Sequence, residues 1–90
     1  GTLSFTANVV NSWEADGKRF YQYSGTLNNN GSSVNGWQLT LSLGAPFTLT
    51  DSWNGRFSVA GSDLQIANVE YNRQLGSGAS ASDIGFIICT

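Results

Sequence analysis

The chain has 90 residues, which suits one small domain, and residues 1–90 are interpreted as a single unit. Four Lys and Arg against six Asp and Glu give a net charge of only −2, so there is no basic stripe for nucleic acid, and no run of about 18 apolar residues offers a membrane span. Histidine is absent and Cys89 is the one cysteine, which excludes imidazole-dependent catalysis and the usual zinc clusters.

The composition favours strands over helices, because Gly, Ser, Thr and Asn are abundant and helix formers are scarce. Two strand-like runs flank the turn signal Asp16-Gly17. Alternation gives each run one apolar face, made of Phe5, Ala7 and Val9 in the first run and of Tyr21, Tyr23 and Leu27 in the second.

The clearest strand is Trp37–Leu43, in which every second residue is apolar. This alternation predicts a half-buried antiparallel strand with Trp37 in the core. Further strand-like runs follow at Phe47–Thr50, Arg56–Ala60, Leu64–Val69 and Ile84–Cys89. Turn signals separate the runs, at Asn30-Gly31, Asn35-Gly36, Asn54-Gly55, Gly61-Ser62 and Gly76-Ser77-Gly78. Asn30-Gly31 is interpreted as a hairpin turn. We therefore predict an all-β, antiparallel β-sandwich of seven to nine short strands, immunoglobulin-like or jelly-roll-like.

The acidic residues do not indicate an active site. They are Glu14, Asp16, Asp51, Asp63, Glu70 and Asp83, and most of them lie at predicted turns or strand ends. A glycosidase would need two carboxylates facing each other across a cleft, for which a sandwich of this size has little room. We predict no catalytic residue, no metal site and no cofactor.

Three aromatic residues stand in polar company at predicted strand ends. Trp13 follows Asn11-Ser12, Trp53 lies in "DSWNG", and Tyr71 precedes Asn72. A core-capping role is the alternative for each of them. Strand parity even aligns Trp53 with Phe47 and Leu49, which favours burial unless a bulge or a turn breaks the register.

Exposed aromatics suit a sugar ligand, because the C–H face of a pyranose can stack on a ring while nearby polar side chains hydrogen-bond its hydroxyl groups. The low charge of the chain also suits a neutral polysaccharide. The predicted carbohydrate-binding residues are Trp13, Trp53, Tyr71, Asp51, Asn54 and Asn72.

Five segments together resemble the family 2 carbohydrate-binding modules, which are cellulose- or xylan-binding sandwiches attached to glycoside hydrolases and related secreted proteins. They are "NSW" at 11–13, "NNGSSVNGWQLTLSL" at 29–43, "DSWNG" at 51–55, "SVAGSDLQIANVEYN" at 58–72 and "GASASDIGF" at 78–86. The resemblance implies that Trp13, Trp53 and Tyr71 are the surface aromatics of the cellulose-binding members, and that Trp37 is their buried tryptophan.

Two features depart from that family. Its members often carry a disulfide that joins the two ends of the chain, whereas Cys89 has no partner near Gly1. The segment after Trp13 is longer than usual, and its "YQYS" is similar to family 49 modules of plant and slime-mould cellulose-binding proteins. The subfamily is therefore left open.

The sequence thus predicts a secreted, non-catalytic, monomeric module that binds cellulose or a related β-1,4-glycan, tethered to an enzyme or another secreted protein. No signal peptide is recognisable, and Gly1-Thr2 is interpreted as an internal or engineered start. Two alternatives stay open. One is binding of xylan or another β-glycan, which needs inclined rings. The other is a structural or adhesive sandwich whose aromatics contact protein.

Overall fold

The computed structural model describes residues 3–90, so the interpretation of Gly1-Thr2 lies outside the described residues. The fold is almost entirely antiparallel β-structure, as predicted. The strands are β1 (Leu3–Ala15), β2 (Lys18–Asn29), β3 (Val34–Asn35), β4 (Gln38–Ser42), β5 (Thr48–Trp53), β6 (Arg56–Ala60), β7 (Asp63–Ala67), β8 (Gln74–Leu75) and β9 (Ser80–Cys89). A 3-10 turn, Glu70–Asn72, lies between β7 and β8.

The strands form two main layers. One is a four-stranded sheet in the order β1-β2-β9-β5, and the other is a three-stranded sheet in the order β4-β7-β6; β3 and β8 form a separate short pair. Side chains of both layers meet in one core, in which Leu64 and Ile66 of β7 pack with Ile84, Phe86 and Ile88 of β9. The sandwich prediction is confirmed, although β1, β2 and β9 are longer than the short strands expected from the sequence.

Trp37 lies in this core with only 5% of its surface exposed. Its indole Nε1 donates a hydrogen bond to the backbone oxygen of Asn72 at 2.8 Å, so the polar atom of the buried ring has a partner. The predicted burial of Trp37 is confirmed. The bond also attaches the 3-10 turn to the core.

The turn signals perform two different tasks. Asp16 and Gly17 both have positive φ and close a two-residue hairpin between β1 and β2, as the sequence indicates. Asn54-Gly55 instead carries the chain from one sheet to the other, since β5 pairs with β9 and β6 pairs with β7.

Asn30-Gly31 is likewise no hairpin turn, and that interpretation is wrong. It leads from β2 to β3, and β3 pairs with β8. The loop is held by Asn29, which is 1% exposed. The Asn29 side-chain nitrogen donates to the backbone oxygens of Ser32, Leu75 and Gly76, and its oxygen accepts from Gly31 N. A buried amide therefore organises a loop for which the dipeptide alone suggested a hairpin.

Two β-bulges interrupt the edge strands of the four-stranded sheet. In β1 the pairing passes from Val9 to Asn11, which makes Val10 the extra residue. In β5 it passes from Leu49 to Asp51, which makes Thr50 the extra residue, and the Thr50 hydroxyl donates to Ile87 O at 3.1 Å. One extra residue reverses the side to which all later side chains of a strand point. Both edge strands therefore change face partway along their length.

Among residues 3–90 no helix is long and apolar enough to cross a membrane. Cys89 is a free thiol and is buried.

Candidate functional site

The bulges bring Trp13 and Trp53 to the same side of the four-stranded sheet. Cross-strand partners point to one side, and the side that carries Phe86 and Ile88 packs in the core. We call the opposite side the outer face. Its three rows, read from β1 to β5, are Trp13-Phe20-Cys89-Thr48, Asn11-Gln22-Ile87-Asp51 and Asn8-Ser24-Gly85-Trp53.

The two tryptophans lie at opposite corners of the outer face. They are separated by three strand spacings, or about 14 Å, and by four residues along β9, or about 13 Å. Strict alternation with Phe5 or with Leu49 would have placed both rings in the core. The bulge that could free Trp53 from the core is present, and β1 contains a second bulge that does the same for Trp13.

Trp13 stands beside Phe20, its direct partner on β2. The two rings are parallel within 2° and their centroids are 5.5 Å apart. Both rings are half-buried. Parallel packing fixes the orientation of Trp13 and extends its apolar surface toward the middle of the face. Phe20 is not among the binding residues predicted from the sequence, although it is placed symmetrically to Trp13 across the hairpin turn.

Trp53 lies over the backbone of Gly85. A Cβ built on Gly85 would approach three consecutive ring atoms, Cε2, Cζ2 and Nε1, closer than 3.0 Å and at nearly equal distances. Such an approach means that the ring covers the glycine face-on. One side of the indole is therefore packed against the sheet, and the other side faces outward, with the residue half-buried as a whole.

Tyr71 is the most open of the three aromatics, with 74% of its surface exposed. It lies in the 3-10 turn, and its hydroxyl donates a hydrogen bond to the side-chain oxygen of Asn54. That bond places Tyr71 next to the chain segment that carries Trp53. Tyr71 therefore lies near the Trp53 end of the structure, whereas Trp13 is at the opposite corner of the outer face.

Asn54 and Asn72 use their side chains within the protein. The Asn54 nitrogen donates to Asp83 O at 2.7 Å, and Asn54 has a left-handed backbone with φ of 61°. The Asn72 nitrogen donates to Asn54 O at 2.8 Å, and its oxygen accepts from Val69 N at 2.9 Å. Both amides therefore hold the segments of Trp53 and Tyr71 together. Direct sugar contact by either one stays a prediction.

Asp51 lies on the outer face and is exposed, and its carboxylate accepts from Ser52 N at 2.8 Å. It is the only charged residue in the three rows. Ile87 fills the middle of the face between Phe20 and the Trp53 ring. A diagonal apolar strip with polar side chains beside it results, and its low charge suits a neutral ligand.

Nothing on the described residues indicates a metal-dependent site. In the 3–90 range, no three His, Cys, Asp or Glu side chains come together as a metal-binding group would require. The exposed ion pairs Glu14–Arg19, at 2.9 Å, and Glu70–Arg73, at 3.0 Å, join neighbours in sequence and leave the middle of the face neutral.

The chain is similar to known proteins in sequence and in fold. The sequence model of the CBM_2 family, described as a cellulose binding domain, matches residues 2–90. The chain is 35% identical over 83 residues to endoglucanase A of Thermobispora bispora, a match that covers 91% of this chain and 17% of that protein. It is 34% identical over 80 residues to endoglucanase CelA of Streptomyces lividans, covering 88% of this chain and 16% of that protein.

A solved structure has the same fold. The solution structure of the chitin-binding domain of Chi18aC from Streptomyces coelicolor matches with a TM-score of 0.73 and 24% identity, covering 97% of this chain and 79% of that one. The chain thus spans less than a fifth of the length of the two endoglucanases but most of this separate domain.

Proposed function

The chain belongs to the CBM_2 family of cellulose binding domains, and on that premise we propose that it binds cellulose with the outer face, through Trp13, Trp53 and Tyr71. As a member of this family it is a non-catalytic carbohydrate-binding module. The residues that contact the glycan and the form of glycan that they accept are our proposal.

One observation carries the proposal, namely that Trp13 and Trp53 share the outer face although strict strand alternation would bury both. Two separate bulges are needed for that outcome. Large aromatic side chains left at a surface are a liability unless something apolar covers them. The neutral strip between the two rings suits the C–H faces of a glucan chain better than a charged partner.

The orientation of Trp53 favours a flat ligand over a twisted one. Its ring covers Gly85 face-on and so turns its free side away from the sheet. A ring in that position can meet a sugar lying flat on the face, as on a cellulose surface. Xylan is the alternative, because a twisted chain requires rings inclined to one another.

The wider context is also proposed. We infer that the module acts as a monomer in an extracellular protein, tethered to an enzyme that acts on plant cell wall polysaccharide. The match to small parts of two endoglucanases supports this arrangement. A structural sandwich whose aromatics contact protein is the competing view, and the binding test below addresses it.

The test is a depletion isotherm on microcrystalline cellulose for the parent chain and for Trp13→Ala, Trp53→Ala and Tyr71→Ala. Each tryptophan change should weaken binding about tenfold or more, which corresponds to 1.4 kcal/mol. Tyr71→Ala should weaken it less, because a phenol covers less of the sugar. Val59→Ala is the control, since Val59 is an exposed apolar residue of the other sheet.

Thermal melts separate lost binding from lost folding in this series. Trp13→Ala and Trp53→Ala should lower the melting temperature modestly, because both side chains are half-buried. Tyr71→Ala should barely change it. Binding to insoluble xylan and to insoluble chitin is measured in parallel. Tighter binding to either of them than to cellulose would contradict the assignment of cellulose as the ligand. Aromatic variants that stay folded and bind cellulose like the parent would refute the proposed site.

A further inference from the structure

Gly85 lies where a glycine is unexpected. It is in the interior of β9, which is paired on both sides, and it stands between the fully buried residues Ile84 and Phe86. Glycine in such a position weakens a strand, because it has no side chain to pack. A special backbone conformation does not account for it. The described glycines with positive φ are Gly17, Gly36, Gly44, Gly61 and Gly78, and Gly85 is not among them.

The space above Gly85 supplies the reason. Its direct partner on β5 is Trp53, and the indole of that residue occupies the position that a Cβ would take. An aromatic ring laid across a strand glycine from the neighbouring strand is a known way to compensate for the missing side chain. Any larger residue at position 85 would have to displace the ring.

We propose that Gly85 is a positioning residue of the binding face, because its missing side chain forms the seat that holds the Trp53 ring flat. The inference rests on the proposed function. Gly85 itself need not contact the glycan. It acts through the height and tilt of Trp53, and hence through the level at which this ring stands relative to Trp13 and Tyr71.

Replacing Gly85 by alanine should lift or rotate the indole, because the added methyl group meets three ring atoms at once. The Trp53 ring would then no longer lie at the same height as the other aromatic rings, and a flat ligand could not contact all of them together. Gly76→Ala provides a matched control, since a Cβ at Gly76 would meet nothing nearer than Ser33 Oγ at 3.9 Å. The same chemical change is thereby made at a site with free space.

The experiment compares the parent chain with Gly85→Ala, Trp53→Ala, the double variant and Gly76→Ala. Binding to microcrystalline cellulose, thermal melting and acrylamide quenching of tryptophan emission are measured for each. Gly85→Ala should weaken binding about tenfold, the scale of one lost aromatic platform. It should also raise quenching, since the seated side of the indole becomes accessible. The double variant should bind no more weakly than Trp53→Ala, and Gly76→Ala should bind like the parent.

The outcomes separate this inference from the function on which it rests. If Trp53→Ala weakens binding but folded Gly85→Ala binds like the parent, the seat is refuted and the proposed function stands. If Trp53→Ala binds like the parent, the proposed function itself fails. If Gly85→Ala does not fold, the double variant decides: its folding supports the seat, because the clash has been removed, and its failure to fold refutes the seat.

Discussion

Asn54 and Tyr71 are joined by a hydrogen bond from the tyrosine hydroxyl to the asparagine side chain, which links segments 17 residues apart. The same asparagine donates to Asp83 O, and its backbone oxygen accepts from Asn72. One residue thus connects the end of β5, the 3-10 turn and β9. The position of the most exposed aromatic depends on this connection.

Two substitutions at Asn54 separate its backbone from its side chain. Asn54→Ala removes both side-chain bonds and also puts alanine, which lacks the tolerance of asparagine for the left-handed region, at φ of 61°, where the strain is about 1–2 kcal/mol. Asn54→Gly removes the same bonds but tolerates that φ. We expect the glycine variant to melt above the alanine variant while both bind cellulose more weakly than the parent. Equal binding by the parent and both variants would show that the Tyr71 bond is dispensable.

Deletion of Thr50 tests the bulge in β5. Without the extra residue, Leu49 is followed directly by Asp51, so the pairing with β9 becomes continuous and Trp53 still lies opposite Gly85 on the outer face. We therefore expect the deletion variant to fold and to bind cellulose nearly as well as the parent, with a modest change in melting temperature from the lost hydroxyl bond to Ile87 O. Thr50→Ser keeps the residue count and a hydroxyl able to reach Ile87 O, and this control should match the parent. A folded deletion variant that no longer binds cellulose would contradict the assignment of Thr50 as the extra residue.

Substitutions of Trp37 test how the core is connected to the 3-10 turn that carries Tyr71. Trp37→Ala should lower the free energy of unfolding by about 3–5 kcal/mol, as expected for a large buried aromatic. That loss is a large fraction of the about 5–15 kcal/mol by which a domain is stable in total. Trp37→Phe retains most of the packing but loses the bond to Asn72 O. It should remain folded and weaken cellulose binding slightly. Urea unfolding and binding isotherms measure the two effects.

Asn29→Asp probes the buried amide with little change in shape. The aspartate would lose the donor that serves Ser32 O, Leu75 O and Gly76 O and would set a carboxylate against these three oxygens. We expect destabilisation of at least about 1–3 kcal/mol, because buried acceptors lose their partner. The exposed neighbour Asn30 provides the control, since Asn30→Asp should change stability little. Equal melting temperatures for the two variants would contradict this role of Asn29.

Cellulose binding should change little with ionic strength. Contacts between exposed charges weaken as salt is added, whereas ring stacking and neutral hydrogen bonds do not. Asp51 is the only charge in the three rows of the outer face. We expect depletion isotherms at low and high sodium chloride to coincide. A tenfold loss of affinity at high salt would instead indicate a charged ligand.

Much of the fold could be predicted because local pattern and burial agree in most strands. The alternation from Trp37 to Leu43 indicates a half-buried strand with Trp37 inside, and the structure has both features. Alternation fails at Val10 and Thr50. A bulge residue carries no side-chain signature, and its position depends on pairing with a strand that is distant in sequence.

The polar neighbours of Trp13 and Trp53 compensate in part for that failure. They indicate that both residues are at the surface, although the strand register cannot be predicted. The roles of Phe20 and Gly85 could not be predicted from the sequence, because each role depends on the tryptophan that lies opposite on the neighbouring strand. That relationship is set by cross-strand pairing and not by sequence neighbours.

Trp13 and Trp53 lie on the two edge strands of the sheet, so the hydrogen-bonded pairing of the strands sets the distance between the two rings. β2 and β9 lie between them, so the spacing of the rings is counted in whole strands across and whole residues along. Loop movement cannot adjust that spacing gradually, and a related chain can alter it only in discrete steps. On the proposed function, a ligand whose repeat does not match this spacing cannot contact both rings at once.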